Sequence, residues 1–399
     1  MKRLLVFLTV ICLLLPLTAS ATEEAAIYPY EYAWEEFWFE EAEQTATLSG
    51  DFKVKSAYLM EASTGRVMYS LNEDERLPIA SVTKVMSTLL IMEALDSEKI
   101  KLDEMVTVSE RAASMGGSQV FLEPNEQMSV EELLKAVVIV SANDATLAMA
   151  EHIYGSEESF IMEMNNRAQQ LGMENTNFIN TNGLPIENHY SSAEDVALMT
   201  QELLKYPLIL EYSTIWMDTI RNGSFGLANT NKLIRFYQGA NGMKTGFTDE
   251  AMFCLSGTAL RDGMQLIAVV LGADTSEERF GTVKKMLDFG FANYTITTPE
   301  KLSLEPIELT KGVKENAAID YTPSSILLEK GKDASITQTA HINIVPQAPV
   351  SKGDEVGFVL YEADGNEVAR SPVYITEDVG RIGYFIILGR IIKSIFAFF

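Results

Sequence analysis

The sequence predicts an α+β protein: an antiparallel sheet with helices and an inserted helical subdomain, followed by a small all-β domain. Three patterns carry that expectation. Alternating runs at Val54–Met60 and Arg66–Ser70, around Ser63-Thr64-Gly65, read as a hairpin. Similar runs return at Met252–Leu260 and Gln265–Leu271, around the turn Arg261-Asp262-Gly263. Between them helical periodicity holds over 81–95, 130–153, 158–171 and 193–204, and it resumes over 278–292. Strands at both ends and helices between them imply one sheet completed by both ends of the segment. After Thr298-Pro299 come short β-rich runs (301–309, 317–321, 335–344, 356–361, 367–375) separated by Gly, Pro, Asp and Asn. Ala363-Asp364-Gly365-Asn366 reads as a hairpin turn.

A length of 399 residues exceeds one average domain, and 47% apolar with 22% charged residues is globular usage. The net charge of −25 excludes nucleic acid as a partner, since phosphate binding needs clustered Lys and Arg. Two cysteines, Cys12 and Cys254, exclude a disulfide scaffold, and His152, His189 and His341 are too scattered for a paired metal motif. No metal and no cofactor are expected. Cys254 lies in the apolar run 252–255 and is expected to be a small core residue.

The two ends place the protein. Lys2-Arg3, the apolar stretch Leu4–Leu17 and Ala19-Ser20-Ala21 have the form of a signal peptide over 1–21, so export is expected. Residues 22–50 hold eight Glu, seven aromatics and no Lys or Arg, and form an acidic aromatic leader without an assigned role. At the other end, within 377–399, a helical wheel puts Tyr384, Phe385, Leu388, Ile391, Ile392, Ile395, Phe396 and Phe399 on one face. Gly383, Arg390, Lys393, Ser394 and Ala397 share the other. Two cations in mid-segment argue against a spanning helix and for an amphipathic anchor, residues 381–399, lying in the membrane surface. The expected location is the outer face of the cytoplasmic membrane.

Three short motifs carry chemistry. Ser81-Val82-Thr83-Lys84, after Pro78, puts a hydroxyl at the first turn of a helix and a lysine one turn later on the same face. A serine needs a base within hydrogen-bond reach, and a lysine made neutral by burial or a second cation can be one. The helix N-terminus also offers the Ser81 N–H to a developing oxyanion. Roughly one Ser-x-x-Lys is expected by chance in a chain of this length. Ser141-Ala142-Asn143 sets a hydroxyl and an amide on a turn after an apolar helix, able to relay a proton and hold a substrate amide. Lys244-Thr245-Gly246 opens the second strand group. There the ammonium and hydroxyl suit a terminal carboxylate, and the glycine permits close approach to an edge strand. Chance supplies Lys-Thr-Gly on the order of 0.1 times per chain of this length.

In this order, and with Arg76-x-x-Pro78-x-Ala80, Asn182-Gly183-Leu184-Pro185, His189-Tyr190-Ser191-Ser192-Ala193 and Gly242-x-Lys244, the motifs resemble those of low-molecular-mass penicillin-binding proteins. Specifically, they look like those of serine D-alanyl-D-alanine carboxypeptidases. The resemblance covers nearly the whole chain. It implies a penicillin-binding/β-lactamase-like catalytic domain over 51–297, a β domain over 298–376 and the anchor over 377–399. It also implies removal of the terminal D-alanine from peptidoglycan pentapeptide stems, with β-lactams as covalent inhibitors. Ser81 would be the nucleophile and Lys84 the base. Ser141 would pass the proton to the leaving group, and Asn143 would hold the peptide amide. Lys244 would assist the proton path and Thr245, in Lys244-Thr245-Gly246, would contact the carboxylate. The Ser81 and Phe247 N–H groups would form the oxyanion hole. Asp195 matches a position near a deacylation loop, and Arg279 falls where a carboxylate-binding arginine is frequent. Gln265 departs from the family's usual arginine. A D,D-endopeptidase or transpeptidase would use the same residues. A β-lactamase lacks its deacylating glutamate here, and an inactive wall-binding protein would have no use for intact motifs.

Overall fold

The computed structural model describes residues 48, 52–331, 335–342 and 345–389. The expected signal peptide, the 22–50 segment apart from Leu48, and residues 390–399 lie outside the described residues. Strand β1 (Ser56–Glu61) turns back into β2 (Val67–Leu71). Glu61 fixes that turn, one carboxylate oxygen accepting from Ser63 Oγ at 2.8 Å, Thr64 N at 2.7 Å and Thr64 Oγ1 at 2.8 Å. A 3₁₀ turn (Ala80–Thr83) leads into α1 (Lys84–Asp96). A short ribbon, β3 (Met105–Thr107) with β4 (Gln127–Ser129), encloses the helical turn α2 (Glu110–Ala113). Helices α3 (Val130–Ile139), α4 (Asn143–Tyr154), α5 (Glu157–Gln170), α6 (Ala193–Leu203) and α7 (Leu208–Ser213) follow. After a ribbon of β5 (Met217–Ile220) and β6 (Phe225–Ala228) and the short α8 (Leu233–Phe236) come β7 (Ala240–Thr248), β8 (Met252–Arg261), β9 (Met264–Ala273) and α9 (Ser276–Asn293). Ser129, Ser156, Ser192 and Thr275 cap α3, α5, α6 and α9, each accepting a backbone N–H three residues on, above a first turn that carries two acids.

The sheet order is β2-β1-β9-β8-β7, antiparallel throughout, so both ends of the segment meet as the pattern predicts. β1 and β9 alternate between two cores. Ala57, Leu59, Leu266, Ala268 and Val270 pack with Phe280, Val283, Met286 and Leu287 of α9. Tyr58, Met60, Ile267, Val269 and Leu271 join Leu89–Met92 of α1 in the larger core. At roughly 2 kcal/mol for each fully buried large apolar side chain, this double covering makes the sheet a rigid platform. Strand β7 is one edge of it; it carries Lys244-Thr245-Gly246, and Gly246 lies against the segment that carries Ser81.

The expected helix over 130–153 is in fact two, α3 and α4, because Ser141 between them takes φ +64°, the left-handed region. Cys254 is fully buried, as expected. In the last segment the run 301–309 contracts to β11 (Ile307–Glu308), which pairs with β12 (Asn316–Ala317) just after Pro306, a residue with no N–H to give a ladder. β10 (Tyr294–Thr297) pairs with β14 (Ile326–Glu329), a strand the pattern does not reveal, and Arg66 Nη1 donates to the Leu327 carbonyl at 3.3 Å. β13 (Ile319–Asp320), β15 (Ile336–Ile342), β16 (Glu355–Ala363) and β17 (Asn366–Ile375) form a four-stranded sheet in the order β13-β17-β16-β15 around Val359, Tyr361 and Val373. The β16–β17 turn falls on Asp364 (φ +52°) and Gly365 (φ +82°), the geometry that Asp-Gly favours. Among the described residues no helix is long and apolar enough to cross a membrane. Residues 384–389 are helical, and Phe385 is 83% exposed.

Candidate active site

The 3₁₀ turn that carries Ser81 follows Ala80, which sits at φ +46°. From Ile79 to Met92 only Ser81 is not buried, so the hydroxyl is the one group of that stretch open to the groove. Lys84 is completely buried. Its Nζ lies 3.1 Å from Ser81 Oγ, 2.6 Å from Asn143 Oδ1 and 3.0 Å from the Asn182 carbonyl. The last two partners only accept, so a neutral Lys84 spends both its hydrogens on them and directs its lone pair at the Ser81 hydroxyl. Burial pushes the Lys84 ammonium well below the usual lysine range, Lys244 pushes it further, and Asp144 opposes both.

Asn143 opens α4 directly after the Ser141 break. Its Oδ1 is on Lys84 and its Nδ2 donates to the Gly116 carbonyl at 2.7 Å, so the amide expected to hold substrate also orients Lys84. Ser141 Oγ is buried and has no protein partner, which leaves it available to a bound molecule. Lys244 Nζ donates to the Thr245 carbonyl at 3.0 Å, and burial followed by Arg279 lowers its pKa to about 7. Thr245 Oγ1 donates to Thr230 Oγ1 at 2.8 Å. A Cβ on Gly246 would lie 2.7 Å from the Ile79 carbonyl and 3.2 Å from Ser81 N. The close approach that demands glycine is therefore between β7 and the segment carrying Ser81. Phe247 is 51% exposed and its ring meets that of Phe253 at 4.4 Å.

Arg279 on α9 is buried behind this strand. Its Nη1 donates to the carbonyls of Gly246 at 3.1 Å and Cys254 at 3.3 Å, so the guanidinium expected to bind a carboxylate braces β7 and adds to the positive field at Lys244, while its Nε is buried without a protein partner. Asp195 sits in the first turn of α6, where its carboxylate accepts from Asn175 N at 2.8 Å and Thr176 Oγ1 at 2.7 Å. It ties down the start of a loop whose far part, Asn182, reaches Lys84, so its connection to Lys84 is indirect. Gln265 bonds Asn241 at 2.7 Å, away from these groups.

Several members of the site carry no role in the motif pattern. The Asn182 carbonyl accepts from Lys84, and Asn182 Nδ2 is buried without a protein partner. Gly183 (φ +82°) lies so close under the turn carrying Ser81 that a Cβ would fall 1.8 Å from the Ala80 carbonyl. His189, buried, accepts from Ile179 N at Nδ1 (3.1 Å), which puts its proton on Nε2 facing Thr83 Oγ1 at 2.8 Å. Thr230 accepts from Thr245 Oγ1 and donates its N–H to the Ile139 carbonyl at 3.1 Å, which ties β7 to the end of α3. A backbone carbonyl contact of this kind has no residue signature; the Asn-Gly pair was the only available cue. Among the described residues no three His, Cys, Asp or Glu side chains group to hold a metal ion.

A hydroxyl, a buried amine poised to take its proton, and Lys244 on the edge strand with Arg279 behind it together suit acyl transfer from a substrate that ends in a carboxylate. Comparison with known proteins gives the same direction. Residues 41–275 match the family described as D-alanyl-D-alanine carboxypeptidase, and residues 307–381 match the C-terminal domain of penicillin-binding protein 5. The chain is 43% identical over 398 residues to the D-alanyl-D-alanine carboxypeptidase DacF of Bacillus subtilis, covering 98% of each. Among solved structures it is similar to penicillin-binding protein 5 of Haemophilus influenzae (32% identity, TM-score 0.72, 84% of this chain and 99% of that one). It is also similar to ampicillin-bound penicillin-binding protein D2 of Listeria monocytogenes (33% identity, TM-score 0.56, 60% of this chain and 98% of that one).

Proposed function

Since the chain belongs to the D-alanyl-D-alanine carboxypeptidase family of serine hydrolases, we propose that it removes the terminal D-alanine from peptidoglycan pentapeptide stems through an acyl-enzyme on Ser81. The observation that carries this reading is the buried Lys84 amine, with two hydrogens engaged and its third direction on Ser81 Oγ. The stem lies along the free edge of β7 with its terminal carboxylate at Thr245 and its scissile carbonyl between Ser81 and Gly246-Phe247. Lys84 takes the Ser81 proton as Oγ attacks. The N–H groups of Ser81 and Phe247 receive the oxyanion, and donors fixed in advance are worth roughly 3 kcal/mol each at such a position. Ser141, with its hydroxyl unspent, passes the proton to the departing D-alanine amine, while Asn143 keeps Lys84 in place and Lys244 holds the field positive. Water then attacks the ester and restores Ser81.

β-Lactams acylate the same serine, and the ampicillin-bound Listeria relative supports that reading. The protein is exported by residues 1–21 and rests on the outer face of the membrane through 381–399. The exposed Tyr384, Phe385, Ile386 and Ile387 support the anchor, since a helix packed on its own core would bury them. The test is D-alanine release from a pentapeptide by the full chain and by Ser81→Ala and Lys84→Met. Release should fall by about a thousandfold or more in both variants. Undiminished release from Ser81→Ala would overturn the assignment.

A further inference from the structure

An open cleft with about 230 Å³ of empty space lies between the end of β7 and the loop that carries Asn182. Its walls include Ala80, Leu184, Pro185, Ile186, Thr248 and Glu250. Ala80 precedes Ser81 in the chain, and Thr248 stands two residues past Gly246, so the cleft borders the catalytic groove at the end away from Thr245. Both walls are fixed before anything binds. Asn180 Oδ1 accepts from Gly183 N at 2.7 Å, and its Nδ2 donates to the Leu184 carbonyl at 2.8 Å. His189 N donates to the Ile186 carbonyl at 3.3 Å. Across the cleft, Thr248 Oγ1 accepts from Ala251 N at 3.0 Å and closes the turn that holds Glu250. Most of the lining is apolar, and Glu250 is its one charged side chain. That carboxylate is exposed, and among the described residues no Lys or Arg lies at ion-pair distance from it.

Position along β7 says which part of a substrate reaches the cleft. In the reading above, on which this inference rests, the terminal carboxylate is at Thr245 and the scissile carbonyl lies between Ser81 and Gly246-Phe247. An extended peptide and a strand both advance by about 3.3 Å per residue. The residue before the D-alanyl pair therefore falls opposite Thr248, with its side chain at the cleft. An apolar cleft with one unpaired carboxylate at its rim suits a side chain of several methylenes that ends in an ammonium. We propose that this cleft is the subsite for the free side-chain amine of the stem's diamino acid, with Glu250 as its counter-ion. The enzyme then prefers stems whose amine is still free. An acylated amine carries no charge and presents an amide to Glu250 instead.

The test measures D-alanine release by the full chain from two pentapeptides with lysine at the third position, one with its side-chain amine free and one with that amine acetylated. At low ionic strength wild type should process the free amine with kcat/KM about threefold higher, chiefly through KM, and the advantage should vanish in about 1 M salt. Glu250→Gln should bring the free-amine peptide down to the rate of the acetylated one, and Glu250→Lys should reverse the preference. A β-lactam adduct on each variant shows that its Ser81 site is folded. Equal wild-type rates on the two peptides would overturn the subsite and leave the carboxypeptidase reading standing. A preference that survives both substitutions in adduct-forming protein would remove Glu250 as the counter-ion and overturn the inference. Release from neither peptide would sink the carboxypeptidase reading and this one with it. Were a variant to form no adduct, the wild-type comparison and its salt dependence decide the matter alone.

Discussion

A lysine accepts a proton near neutral pH only when its ammonium is destabilised, and at the residue scale Lys84 meets that condition through burial and through Lys244. Lys244 is depressed in turn by burial and Arg279, to about 7. The consequence is a pH profile whose limbs belong to the coupled pair. Acylation by a β-lactam should rise with pH as Lys84 loses its proton, and fall above about 7 as Lys244 loses the charge that assists the proton path. In Lys244→Arg, where the cation cannot titrate, the alkaline limb should disappear from the second-order acylation rate; its persistence would assign it elsewhere. Gly246 gives a steric test. Its alanine variant must move either β7 or the Ile79 carbonyl, so acylation should drop at least tenfold while stability falls by about 1–3 kcal/mol, read by denaturant titration.

Among the elements, the loop from Asn175 to Ser192 has no helix and only isolated bridges, and yet it positions Lys84. It is anchored by Asp195 at one end, by Gly183 under Ala80, and by His189 against Thr83. Burial lowers His189 to about 4 from 6.5, so the folded state binds this proton less readily than the unfolded chain does. Its stabilising contribution is complete above 6.5 and is lost as pH falls towards 4, by on the order of 3 kcal/mol. Wild-type Tm should therefore drop across that window more steeply than that of His189→Gln; parallel curves would contradict a neutral buried imidazole. The loop also marks where the sequence stops being legible. Strands and helices with a clear period were readable, because side-chain alternation and the two buried faces of the sheet are written residue by residue. The break at Ser141 was readable only as a motif, since a left-handed serine inside an apolar run has no compositional sign. The Asn182 carbonyl, the Arg279 brace and the β10–β14 pair depend on contacts distant in sequence, and no local pattern reports those.

At the scale of the whole molecule, an acidic chain brings Lys84, Lys244 and Arg279 together beside one edge strand, and a doubly covered sheet holds that edge against the turn carrying Ser81. The β segment is joined through β10–β14 and continues to the exposed apolar helix at 384–389. Removal of residues 381–399 should abolish sedimentation with anionic vesicles and leave D-alanine release unchanged; retained sedimentation would place membrane contact elsewhere. All of this turns on one covalent bond. The most direct measurement is the intact mass of the protein after brief exposure to a β-lactam, with Ser81→Ala alongside. Wild type should gain the mass of one drug molecule and the variant none. An adduct that survives in Ser81→Ala, or no adduct on wild type, would contradict Ser81 as the nucleophile.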